Sequence, residues 1–63
     1  MKCYLKVILD EIGMTQKELA EKVGVSQQAI SNICKSQSIP KLDLAYKISK
    51  ITGKQIEEIW EFE

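Results

Sequence analysis

The sequence predicts an all-α fold of five short helices, for three reasons. Apolar residues recur at intervals of three and four along most of the chain, the repeat of a helix with one buried face. Each such stretch is closed by a glycine, a capping residue or a proline-bearing segment. The chain has 63 residues, enough for one domain and too few for two. So small a domain buries only about 60% of the surface its unfolded chain exposes, which leaves its core marginal.

Leu5, Ile8, Leu9 and Ile12 stand at i, i+3, i+4 and i+7, one face of a first helix that Gly13 ends. Thr15 with Glu18 has the spacing of a capping box and opens a second helix, about 16–23, burying Leu19, Ala20 and Val23 and stopping at Gly24. Ser26 is the next N-cap; its helix, about 27–34, turns Ala29, Ile30 and Ile33 inward. Lys35 to Pro40 is polar, ends in proline and reads as a loop. Leu42 to Thr52 is a fourth helix with Leu44, Ala45, Ile48 and Ile51 on one side, stopped by Gly53. A short fifth helix runs from Gln55 to about Ile59, with Ile56 and Ile59 inward. Trp60-Glu61-Phe62-Glu63 alternates apolar and acidic residues, the period of a short strand.

Composition excludes several classes. The chain has no histidine and only two cysteines, Cys3 and Cys34, too few for a disulfide scaffold or a Cys/His zinc site. It has no nucleotide-binding glycine loop and no carboxylate pair within a metal-ligand pattern. Asp10/Glu11 and Glu57/Glu58 are solvated helix faces. No enzymatic activity, cofactor or metal is expected. No apolar run approaches the roughly 18 residues that cross a bilayer, and no leader pattern is visible, so a cytoplasmic protein is expected. Nine lysines balance nine acids, and there is no arginine. A zero net charge argues against holding nucleic acid by bulk charge. The balance is uneven, however: residues 1–56 carry +4 and residues 57–63 carry −4.

Only Gly24-Val25 separates helices two and three, each about two turns long, and so tight a glycine turn sets them at a steep angle as a helix-turn-helix unit over residues 15–34. Ala20 is small where the third helix crosses, and Leu19, Val23, Ile30 and Ile33 fill the wedge. The run Met14-Thr15-Gln16-Lys17-Glu18-Leu19-Ala20-Glu21-Lys22-Val23-Gly24-Val25-Ser26-Gln27-Gln28-Ala29-Ile30-Ser31-Asn32-Ile33 closely resembles the helix-turn-helix domain of the lambdoid phage repressors and Cro, the Cro/CI-type or Xre-like regulators. The resemblance continues through Ile39-Pro40-x-Leu42 and the Ile48…Ile51…Gly53 helix, covering nearly the whole chain.

The resemblance implies a compact lambda-repressor-like domain that binds double-stranded DNA, with the third helix in the major groove. Gln27, Gln28, Ser31 and Asn32 would then meet base edges, from a face that carries no charge although 29% of the chain is charged. Gln and Asn pair bidentately with adenine, whereas guanine is usually read by Arg or Lys, so A·T-leaning half-sites are expected. The resemblance gives Gln16 two tasks, bonding a phosphate and bracing Gln27. Thr15, Lys17 and Ser26 stand at helix N-termini, where phosphate is favoured. Lys35, Ser36, Gln37 and Lys41 match backbone-contacting positions of the loop and fourth helix.

The departures from the family are informative. An arginine late in helix one and a glutamate ending helix three commonly pair; here those positions hold Leu9 and Cys34. Both partners are replaced together, which strands no charge. Cys34 is thus expected as a core thiol near Leu9. The family's loop glycine is Ser36 here, and because left-handed backbone costs serine about 1 kcal/mol, a different loop geometry is expected.

Such regulators generally dimerise on two-fold sites. Ile56, Ile59, Trp60 and Phe62, in the acidic, aromatic tail 57–63 and the helix before it, are the expected seam; the alternative is that Trp60 and Phe62 fold back and cap their own domain. Some very short family members end in a similar amphipathic tail that pairs as a strand, and Lys2–Tyr4 is a segment available to it. The expectation is a homodimeric repressor with no small-molecule effector. The alternative is an antitoxin-like protein-interaction module using the acidic tail.

Overall fold

The helix boundaries fall where the capping residues put them. The computed structural model describes residues 1–61 and runs β1 (Lys2–Cys3), α1 (Leu5–Ile12), α2 (Gln16–Val23), α3 (Gln27–Cys34), α4 (Leu42–Thr52), α5 (Ile56–Ile59) and β2 (Trp60–Glu61). Thr15 closes a full capping box: its Oγ1 accepts from the Glu18 amide at 3.0 Å, and the Glu18 carboxylate accepts from the Thr15 amide at 3.1 Å. Ser26 Oγ accepts from the Ala29 amide at 3.1 Å and starts α3. Between them Gly24 adopts φ +79°, a left-handed conformation that lets α2 stop and the chain reverse within two residues.

One core joins all five helices. Leu5, Ile8 and Leu9 of α1 meet Leu19, Ala20 and Val23 of α2, Ile30 and Ile33 of α3, Ala45 and Ile48 of α4, and Ile59 with Trp60. Helices α2 and α3 pack on each other more extensively than any other pair. Ile12, expected inward, is exposed. It lies in the last turn of α1, where Gly13 turns the chain away. Thr52 is buried, and its hydroxyl is satisfied by donating to the Ile48 carbonyl at 2.9 Å.

The ends of the chain are tied together. β1 and β2 pair antiparallel, Lys2 opposite Glu61 and Cys3 opposite Trp60, and the Tyr4 amide donates to the Ile59 carbonyl at 2.8 Å. Strand geometry puts alternate side chains on opposite faces, so Trp60 enters the core while Glu61 faces out. The expected tail strand and its pairing with the N-terminal segment are both present, within one protomer.

The loop after α3 corrects one expectation. Ser36 adopts φ +61°, so the left-handed geometry is kept without glycine. The Ser36 amide donates to the Ile33 carbonyl at 3.1 Å and the Gln37 amide to the Asn32 carbonyl at 2.9 Å. This pair of bonds is a Schellman motif, and it satisfies two carbonyls that α3 would otherwise leave open. The closure outweighs the strain on serine. Replacing Ser36 with glycine is expected to stabilise the domain by about 0.5–1 kcal/mol, raising Tm by about 2–8 °C in a circular-dichroism melt.

Candidate nucleic-acid interface

The first half of α3 presents amides and hydroxyls because its apolar residues, Ile30 and Ile33, are committed to the core. Gln27 and Gln28 are exposed, and Ser31 and Asn32 are half-buried on the adjoining turn. Gln28 Nε2 donates to Asn32 Oδ1 at 2.9 Å, an i,i+4 pair along the helix surface. This bond leaves Gln28 with its oxygen and one N–H free, and Asn32 with both of its N–H donors. One free acceptor and one free donor are the set an amide uses to engage the N6/N7 edge of adenine.

The N-termini of α2 and α3 border a depression of about 330 Å³ lined by Lys6, Leu9, Asp10, Met14, Thr15, Gln16 and Gln27. Gln16 and Gln27, expected to act together, are brought to this one hollow, though no hydrogen bond joins them among the described residues. Thr15 is less available than its position suggests. Its hydroxyl donates to Glu18 Oε1 at 3.1 Å, and its amide donates to the same oxygen. A carboxylate seated there opposes a phosphate, which leaves Gln16 and Lys17 as the first-turn side chains open to an anion. Ser26 differs: its oxygen caps the helix but its O–H proton stays free to donate. Lys6, on α1, is a cation of this hollow that sequence reasoning missed; the heptad-like pattern of α1 explains its exposure and says nothing of its neighbours.

Lys35, Ser36, Gln37 and Lys41 are all exposed. The backbone N–H groups of Lys35, Ser36 and Gln37 are used to close α3. What these residues can offer a phosphate is therefore the Lys35 ammonium, the Ser36 hydroxyl and the Gln37 amide, held in place by the Schellman turn.

Behind α3, Cys34 is half-buried and packs against the core that holds Leu9. Burial, reinforced by Cys3 and opposed by Lys6, pushes its thiol up to about 11. Burial likewise raises Cys3. Neither cysteine is in a disulfide. Because the native thiol holds its proton to higher pH than the unfolded one, this contribution to stability is whole below pH 9 and is lost as pH rises towards 11. The expected results are labelling of Cys34 by an aromatic disulfide at pH 8 far slower than in denaturant, and a fall in stability above pH 9 that Cys34→Val makes shallower.

The seam residues are distributed differently from expectation. Ile59 is fully buried and Trp60 is 2% exposed, both inside their own protomer. Their side chains fill the monomer core, and Trp60 also forms part of the floor of a surface depression lined by Leu42 and Ile56. Ile56 remains half-buried at the surface, and Phe62 lies outside the described residues. Among the described residues, no helix is long and apolar enough to cross a membrane, and no group of three His, Cys, Asp or Glu could hold a metal ion.

Two short capped helices about a left-handed glycine, the second with an uncharged polar face, define a helix-turn-helix DNA-binding module. A helix-turn-helix family model matches residues 5–59, nearly the whole chain. Over all 63 residues the chain is 44% identical to an uncharacterized HTH-type transcriptional regulator of Methanocaldococcus jannaschii, covering 96% of that protein. It is 38% identical to one from Archaeoglobus fulgidus, covering 90% of it, and 35% identical over 60 residues to the HTH-type transcriptional regulator YgzD of Bacillus subtilis, covering 91%. The chain belongs to the Cro/CI-type, Xre-like helix-turn-helix family of transcriptional regulators.

Proposed function

We propose that this protein is a transcriptional repressor that binds a two-fold operator as a homodimer, with α3 of each protomer in the major groove. The observation that carries the reading is the α3 surface: four uncharged side chains, two of them already bonded as Gln28–Asn32, on a helix whose opposite face is locked in the core. Gln27, Gln28, Ser31 and Asn32 read base edges. Gln16, Lys17, Ser26, Lys35, Ser36, Gln37 and Lys41 hold phosphates on either side, with Thr15 serving chiefly as the α2 cap. Repression follows from occupying a promoter, which needs no part beyond the DNA-binding surface.

Selection of duplexes from a random pool tests the proposal. The expected product is a pair of A·T-leaning half-sites with centres one helical turn, about 34 Å, apart. Half-sites dominated by G·C at the contacted positions contradict the assignment of α3 amides as readers. The modest lysine complement also sets the salt dependence. The log–log slope of affinity against salt is expected near −4 to −6 for a dimer, from roughly five to seven neutralised phosphates. A slope near −10 contradicts it.

A further inference from the structure

Helix α1 lies outside the helix-turn-helix unit, yet it carries a cation that the core does not explain. Leu5, Ile8 and Leu9 anchor α1 in the core. Lys6, beside Leu5, is exposed and is the one basic residue of this helix. It does not stand on the open side of the domain. It lines the hollow of about 330 Å³ that also holds Gln16, at the start of α2, and Gln27, at the start of α3. Its charge is felt at the other end of α3 as well, where it opposes the rise of the Cys34 thiol.

Two carboxylates stand near this hollow, and neither claims the ammonium. Asp10 lines it one turn along α1. A lysine four residues before an acid is the weaker order for a helical ion pair, and exposed pairs of this kind contribute little. Glu18 is taken up by the α2 cap, where one of its oxygens accepts from both the amide and the hydroxyl of Thr15. A lysine is a compact charge on a flexible stem, which suits a phosphate on a passing backbone better than a base edge. Phosphate contacts fix how a protein sits on the duplex. One made from α1 bears on the duplex from outside the helix-turn-helix unit, and so constrains the angle at which α3 enters the groove.

We infer that Lys6 binds a backbone phosphate of the operator, beside the half-site that α3 reads. The inference rests on the reading of α3 as the recognition helix and adds a positioning contact from outside the helix-turn-helix unit. Anisotropy titrations of the whole chain at several salt concentrations test it, against a duplex selected from the random pool and against an unrelated one. Lys6→Gln is expected to weaken both duplexes alike, by roughly five- to tenfold per protomer at about 0.1 M salt, and to reduce the salt slope by about one per protomer. Lys6→Arg, which keeps the charge, is expected to retain affinity and slope. Lys50→Gln removes the same charge from the last turn of α4 and is expected to leave the slope unchanged. All three variants should melt close to the wild type, because Lys6 and Lys50 are exposed. A Lys6→Gln slope equal to that of the wild type, or a fall that Lys50→Gln matches, overturns the contact while leaving α3 standing as the reader. A loss confined to the selected duplex places Lys6 at a base edge and overturns it too. A wild type that prefers no sequence overturns the reading of α3, and the operator contact with it.

Discussion

Trp60→Ala is expected to remove half or more of the domain's stability and to lower its melting temperature sharply. The indole is 2% exposed and sits where β2 meets α5 over the core of α1 and α4. Removing a buried indole costs roughly 3–5 kcal/mol. A 63-residue domain has a total stability of only about 3–9 kcal/mol, so one side chain accounts for much of it. The loss also unseats the β1–β2 pairing, since Trp60 is the residue opposite Cys3. Trp60→Phe is expected to retain a cooperative fold. The Trp60 Nε1 makes no hydrogen bond of ordinary geometry, lying beside the weakly accepting Cys3 thiol, and phenylalanine removes that unpartnered donor along with part of the volume. Circular-dichroism melts check both variants. A Trp60→Ala protein melting within a few degrees of the wild type would show that the tail is dispensable.

The second large effect is on recognition. Gln28→Ala is expected to lower affinity for the selected operator by roughly 5–150-fold, the equivalent of about 1–3 kcal/mol, while leaving affinity for unrelated duplex unchanged. Asn32→Ala should do the same to a smaller extent, because Asn32 is half-buried. The double substitution should fall short of the product of the two, since each single change already breaks the Gln28–Asn32 bond. Lys35→Ala behaves differently: it weakens every duplex alike and reduces the salt slope by about one per protomer. Anisotropy titrations at several salt concentrations separate these patterns. If Gln28→Ala weakens all sequences equally, the side chain touches backbone and not bases.

Much of this was legible in the sequence because local chemistry decides it. Thr15 with Glu18, Gly24 and Ser26 set the edges of α2 and α3 through bonds made within three residues, so spacing alone specifies them. Leu19, Ala20, Ile30 and Ile33 follow from helical periodicity. What was not legible depends on contacts distant in sequence. The alternation at Trp60–Glu61 shows that one side is buried but not which chain buries it, and the protomer itself turned out to supply that cover. Leu42 precedes the inward set of α4 and fits no buried face, and only the fold brings it beside Ile39 and Ile56. Gln28 and Asn32 stand at an i,i+4 spacing that permits a bond without requiring one. Ser36 misled for a different reason: the cost of its backbone is local, but the two carbonyls it satisfies belong to α3.

The strand pair at the chain ends also bears on how the protein folds in time. Most contacts between α2 and α3 are short-range in sequence and form with little loss of chain entropy. Bringing Lys2–Cys3 to Trp60–Glu61 instead closes a loop of nearly the full chain, which by loop-closure entropy costs about 3–4 kcal/mol beyond a constant term. This contact should therefore lie on the native side of the folding barrier. The helix-turn-helix nucleus forms first, and the joining of the termini completes the domain. Because Trp60 is the sole tryptophan, its fluorescence reports that final step, and substitutions in β1 should speed unfolding while leaving the folding rate nearly unchanged.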